Sequence, residues 1–264
     1  MCVIISCDDK FPTYETMRDA EALNSHGAGI AWLNEKGTVS YRKGVDATTI
    51  QALIDNGVVK LPAIIHFRIA SVGNVNHQLC HPFPVETGVP LTLEGETDKV
   101  LFHNGTWSDW REWLAQGVLA GKIQLGDGAD WSDSRCMATL ADAYGENILN
   151  LIEGRNKITV LDINGIRRFG DGWVTVDGNK CSNNYFVKSS NDSKKTFKKN
   201  DENMWFQTAW SQEDEYMGDT ITIENQDEED EVLSDMEWYS KFYDKLKKGQ
   251  STLDSDDDRS WEMV

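Results

Sequence analysis

Long apolar runs are missing from this sequence. No stretch of about 18 apolar residues occurs in its 264 positions, so no segment reads as a membrane-spanning helix. The opening MCVIISCDDK is too short and too acidic for an export signal, and no basic region precedes its apolar residues. These absences predict a cytoplasmic protein with no membrane partner. Cysteine is sparse too. Cys2, Cys7, Cys80, Cys136 and Cys181 form no CxxC pair, and their odd number and spacing match neither a disulfide framework nor a zinc site. No metal and no cofactor is expected.

Basic residues are outnumbered, 26 against 44 acids, for a net charge of −18. The imbalance is local: residues 211–264 carry 18 acids and 5 bases, while the other 210 residues carry 26 and 21. A phosphate-binding surface needs clustered Lys and Arg, so no nucleic-acid partner is expected.

What is present alternates between strand and helix patterns. MCVIIS, Ala28–Leu33, Thr38–Arg42 and Pro62–Ile69 read as strands. So do Leu91–Leu93 and Lys99–His103, as a hairpin around a charged turn Glu94–Asp98. Lys157–Ile163, Ile166–Phe169, Trp173–Val176 and Tyr185–Lys188 follow, separated by NG, DG and SNN turns. Helical spacing appears in Ala47–Gly57, in Ser108–Gln116, where Ser108 reads as the cap, and from Ser132–Asp133 to about Tyr144. The sum is an α+β pattern. From about Ser189 the chain turns polar and then acidic, which reads as a linker and an acidic tail (191–264) after a domain of residues 2–190. One helix is expected in the tail, Ser234–Gly249, with a Ser234/Glu237 capping box and Trp238, Phe242 and Leu246 on one face.

Four features carry chemistry. Removal of Met1 would leave Cys2 with a free α-amine of pKa about 7.7–8, able to act as base for its own thiol. Arg68, at the end of a buried strand in His66-Phe67-Arg68-Ile69-Ala70-Ser71, suits a small carboxylate or a structural salt bridge. Asn104 and Gly105, in Phe102-His103-Asn104-Gly105, form either an ordinary turn or a pair of donors for an oxyanion. Asp133, in Ser132-Asp133-Ser134, is either a helix cap or an acceptor for a substrate ammonium.

Together with Cys80-His81-Pro82-Phe83 and the glycine-rich Ser25–Ala31, these segments occur in one order over residues 2–190. The set resembles the glutaminase domain of class II glutamine amidotransferases, which are N-terminal-nucleophile hydrolases. The resemblance implies a four-layer αββα sandwich of two antiparallel sheets. It also implies hydrolysis of L-glutamine, or a similar small amide, through a thioester on Cys2. By the same resemblance Asn104 and Gly105 form the oxyanion hole, Arg68 and Asp133 hold the amino-acid head, and Ser71 and His81 line the pocket. Some positions depart from the family: Val3 stands where Gly is common, Ile69 where an aromatic is, and Leu79-Cys80 where Asn-Ala is. With no room for a synthase in this chain, the ammonia is expected to pass to a separate ammonia-accepting synthase. Hydrolysis of another small amide, such as a γ-glutamyl amide, and a non-catalytic amidotransferase-like binding module are the competing readings.

Overall fold

The computed structural model describes residues 2–70, 75–86, 88–125, 130–152 and 154–187. Among these are eleven strands and four α-helices. Seven strands form one antiparallel sheet. Its centre is β1 (Val3–Cys7), β4 (Ala63–Phe67) and β2 (Ala28–Leu33), and it is flanked by β3 (Val39–Val45) and β6 (Glu94–Thr97) on one side. On the other side lie β11 (Asn179–Cys181) and β10 (Val174–Val176). The second sheet, also antiparallel, runs β5 (Phe83–Pro84), β7 (Lys99–Asn104), β8 (Lys157–Asp162), β9 (Gly165–Phe169).

Strand alternation sorts the apolar residues into layers. Val3, Ile5, Cys7, Ile30, Ala63, Ile65 and Phe67 face α1 (Tyr14–Leu23) and α2 (Ala47–Asp55), where Met17, Ala20 and Ile50 complete a buried cluster. Ile4, Ala31, Val39, Tyr41 and Ile64 face the other way and meet Val100, Phe102 and Leu161 of the second sheet. Helix α4 (Asp133–Tyr144) packs on the outer face of that sheet against β5 and β7, with α3 (Trp110–Leu119) beside it. The order is helix, sheet, sheet, helix, as the resemblance implied.

Three local expectations are corrected. The supposed turn Glu94–Asp98 is mostly strand: β6 pairs with Val39–Arg42 at the edge of the large sheet, while β7 belongs to the small one, so no hairpin joins them. Charge on an exposed edge is tolerated and discourages pairing with other chains. Here Glu94 meets Arg42 at 3.4 Å and Glu96 meets Lys36 at 3.1 Å. Tyr185 lies in a turn rather than a strand, and β11 takes the place beside β1. Ser108 does not cap α3; its hydroxyl donates to the Asp109 carboxylate, and α3 has no side-chain cap. Helix α1 was not anticipated from the sequence. The expected tail helix Ser234–Gly249, like residues 188–264 as a whole, lies outside the described residues.

Gly29 in β2 faces the space between the sheets, and a Cβ there would meet the His81 carbonyl oxygen at 1.8 Å. The His81 segment can lie against the large sheet only because this position is bare. Gly29→Ala is expected to lower stability by at least ~1–3 kcal/mol, the usual range for overpacking, measured by urea unfolding. A wild-type midpoint would show that the His81 segment yields freely.

Candidate active site

The pairing of β1 with β4 matches Val3 to Phe67 and Ile4 to His66. Continued one residue beyond each strand, it sets Cys2 beside Arg68 and Ile69. The Cys2 Sγ lies 3.2 Å from the Ile69 carbonyl oxygen, to which it donates, and 3.3 Å from the Ile69 N–H, from which it accepts. The Cys2 carbonyl accepts from Asn183 Nδ2 at 2.8 Å. Burial pushes the Cys2 thiol up from its ordinary pKa, against smaller lowering effects that include the Ile69 N–H and the Arg68 charge. A thiol so placed is protonated at neutral pH and requires a base to react.

Cys2 opens onto a cleft with about 350 Å³ of empty space, part of it open solvent. Arg68, His81, His103, Gly105 and Asp133 share its lining. Residues from five separate stretches of the sequence thus converge. The Arg68 side chain is buried and its Nη1 donates to the Asn76 carbonyl oxygen at 3.2 Å. Asn76 in turn caps the 3₁₀ turn His77–Leu79, accepting from the Leu79 N–H.

Asp133 begins α4 but does not cap it; the Ser132 hydroxyl does, accepting from the Arg135 N–H at 3.2 Å. Asp133 Oδ1 accepts from the Ser134 N–H at 2.8 Å, with the Ser134 hydroxyl 3.3 Å away, and Oδ2 accepts from the Trp107 N–H at 3.1 Å. A carboxylate has about four lone-pair sites, so Oδ2 retains capacity for a further donor.

Gly105 has φ +151°, and a Cβ there would meet Asn156 Oδ1 at 2.3 Å and His103 Nε2 at 3.0 Å. Behind it His103 is fixed from both ends, by Ser134 Oγ on Nδ1 and Asn156 Oδ1 on Nε2, each at 2.9 Å. The carbonyl oxygen of Asn156 can only accept, so Nε2 carries a proton. His103, Ser134 and Asn156 were not singled out from the sequence. Nothing around Asn156 marks it, and His103 stood only as part of the HNG segment.

Asn104 is placed differently from Gly105. It lines not the cleft but an adjoining polar cavity, together with Asn156, Lys157, Ser182 and Asn183. Its Nδ2 lies 2.7 Å from Ser182 Oγ, and its Oδ1 is buried with no hydrogen-bond partner. Ser71, expected to line the pocket, lies outside the described residues. Among the described residues no group of three or more His, Cys, Asp or Glu side chains is placed to hold a metal ion, and no helix is long and apolar enough to cross a membrane.

The inner wall is unusually polar for a core. The His66 and His81 rings lie 4.2 Å apart, and none of their four nitrogens has a hydrogen-bond partner. Burial holds His66 down at about pKa 3 and His81 well below its ordinary value. Lys43, on β3, is buried with its ammonium over the Phe83 ring at 4.7 Å and no hydrogen-bond partner, and burial lowers it to about 7.

No protein-family model matches this chain, and no curated protein matches it. Among solved structures, it is similar to the glutamine phosphoribosylpyrophosphate (PRPP) amidotransferase of B. subtilis complexed with ADP and GMP, with a TM-score of 0.43 and 18% identity over 62% of this chain. A structure of the allosteric regulatory enzyme of purine biosynthesis aligns with a TM-score of 0.41 and 18% identity over 61%. The chain spans 35% of the length of each.

Each buried base has a folded-state pKa below its ordinary one, so the penalty for charging it is full below the folded value and absent above the ordinary one. For His66 the penalty fades as pH rises from about 3 to 6.5, and for Lys43 from about 7 to 10.5. Wild-type stability should therefore climb with pH through both windows. Lys43→Met should flatten the upper window and stabilise the protein at pH 7 by on the order of 1–3 kcal/mol, since each tenfold loss of proton affinity on folding costs ~1.36 kcal/mol. Urea midpoints for both proteins at pH 7 and pH 10 check this. An equal rise in the two would show that Lys43 is not the source.

Proposed function

We propose that this cleft hydrolyses the side-chain amide of glutamine, or of a similar small amide, through a thioester on Cys2. The observation that carries the reading is that Cys2, Arg68, Gly105 and Asp133, four regions apart in sequence, line one cleft. Cys2 is the nucleophile, and its own α-amine, freed by removal of Met1, is the general base. The raised thiol pKa makes such a base necessary. The α-amine takes the thiol proton as sulfur attacks the amide carbon. The oxyanion is received by the Gly105 N–H on the cleft wall and by the Asn104 carboxamide, which has to reach it from the adjoining cavity. The amine then returns the proton to the leaving nitrogen, ammonia departs, and water hydrolyses the thioester to the free acid.

Arg68 holds the α-carboxylate of the substrate, and the remaining capacity of Asp133 Oδ2 takes the α-ammonium. His81, with its neutral ring, lines the pocket, and Ser71 is assigned there by resemblance alone. The activity resides in residues 2–190 of a cytoplasmic protein, with 191–264 a tail. The ammonia passes to a separate synthase.

Purified protein with Cys2 verified by mass spectrometry as its first residue should release ammonia and glutamate from glutamine, and Cys2→Ala should release none. Asn104→Ala should lower kcat by ~10²–10³, the usual cost of one oxyanion donor. Arg68→Lys should raise KM chiefly. Absence of turnover in the verified wild type would sink the reading for glutamine. Equal turnover of acyl amides lacking the amino-acid head would show that Arg68 and Asp133 do not select the substrate.

A further inference from the structure

Ser182 sits where three parts of the site meet. Its N–H donates to the Ile4 carbonyl oxygen at 2.9 Å, and its Oγ accepts from the Ile4 N–H at 2.9 Å. Its carbonyl oxygen accepts from the Lys157 ammonium. Ser182 is therefore bonded to β1 two residues after the nucleophile. The same Oγ touches the Asn104 carboxamide at 2.7 Å.

A hydroxyl has one proton and two lone pairs. With Asn104 Nδ2 and the Ile4 N–H both directed at Oγ, the lone pairs are filled and the Ser182 proton has no acceptor among the contacts of Oγ. Asn104 Oδ1 is then left buried without a donor. Two faults therefore belong to one pair of side chains: a proton lacking an acceptor and an acceptor lacking a proton. A half-turn of the carboxamide exchanges its oxygen and nitrogen and repairs both. The Ser182 hydroxyl then donates to Asn104 Oδ1 while still accepting from Ile4. The 2.7 Å separation is typical of O–H···O and short for N–H···O. The half-turn leaves Asn104 Nδ2 as the group without a partner, and so as a donor available to the oxyanion in the reading proposed above.

We infer that Ser182 is the positioning residue of the oxyanion hole: its hydroxyl proton grips the Asn104 carbonyl oxygen, turning the Asn104 N–H toward the oxyanion formed on the Cys2 adduct. The inference rests on the amide-hydrolase reading above. Ser182 touches no reacting atom; it acts through Asn104. Truncation of the side chain also takes the Oγ acceptor from the Ile4 N–H, but the bonds made by the Ser182 N–H to Ile4 and by its carbonyl oxygen to Lys157 survive, and the alkylation rate reads out any shift of Cys2.

The test is glutamine turnover by wild type, Ser182→Ala, Ser182→Thr and Ser182→Cys, each with Cys2 first, alongside the alkylation rate of Cys2 by iodoacetamide. Alkylation uses the thiolate but develops no oxyanion. Ser182→Ala should lose roughly 10-fold to 10²-fold in kcat, below the ~10²–10³ of losing the donor itself, with KM and alkylation unchanged. Threonine, which keeps the hydroxyl, should restore most of kcat, and cysteine, a weaker donor, should fall between. Added to Asn104→Ala, Ser182→Ala should cost nothing further. If the alanine variant does not fold, the cysteine variant and the threonine rescue carry the test. Unchanged kcat in folded Ser182→Ala or Ser182→Cys, a loss shared equally by alkylation, or an additive loss in the double variant would each overturn the inference while leaving the hydrolase reading intact. A verified wild type that turns over no amide would overturn both.

Discussion

The register between β1 and β4 is the constraint on which the site depends. It matches Ile4 to His66 and Val3 to Phe67, and so brings the Cys2 sulfur against both backbone groups of Ile69. A slip of one residue would exchange the faces of β1. Cys2 would then turn toward the helices, and Val3 and Ile5 would leave the cluster they share with Met17 and Ile50. The apolar pattern that builds the core is therefore also what aims the nucleophile, and β11, paired with β1 at Ile5 and Ser6, holds the same strand from its other edge.

That arrangement has a cost in the layer between the sheets. Ile4, Ile64 and Phe102 pack there as ordinary core residues, but toward the cleft the same faces carry His66, His81 and Lys43, buried and without hydrogen-bond partners. Unpaired buried polar groups are destabilising; here His81 lines the cleft and His66 packs against its ring, while Ser6, Asn24 and Thr159 carry such atoms outside the cleft lining. The His66–His81 pair is of the kind expected where a structure gives up stability for a working site. Charge also explains why both imidazoles stay neutral: besides burial, each is held down by the nearby Arg68 guanidinium, and His81 by Lys43 as well.

The central strands were legible because Ile, Val and Phe runs bounded by turns have few alternatives; Ala28–Leu33 and the neighbourhood of Val3–Cys7 appear where the pattern places them. Helix α1 was not legible because only Met17 and Ala20 are buried in it, too few to impose a helical period. The edge strand β6 was hidden for the opposite reason. Glu94 and Glu96 look like a turn until Arg42 and Lys36 are found beside them, and Gly95 is required because a Cβ there would strike the Tyr41 hydroxyl at 2.7 Å. Of the site, the residues named by motif were readable. The partners that hold them, Asn156, Ser182 and Asn183, come from late loops whose proximity no local pattern encodes.

Asp133 shows why geometry decides between two readings that sequence leaves equal. At the start of a helix an Asp is first a cap, and Ser132-Asp133-Ser134 offers three side chains able to do that work. The cap falls to Ser132, so only one oxygen of Asp133, Oδ1, stays with the first turn of α4, on the Ser134 N–H. The other, Oδ2, turns to the Trp107 N–H and toward His103, whose Nδ1 lies 3.8 Å from it. Ser134 touches both His103 and Asp133, and His103 in turn is fixed by Asn156, which packs against Gly105. The group proposed to hold the substrate ammonium and the backbone proposed to receive the oxyanion are thus braced by one hydrogen-bonded chain. Movement at either end is resisted by the other, because each hydrogen bond in a buried network depends on its neighbour's orientation.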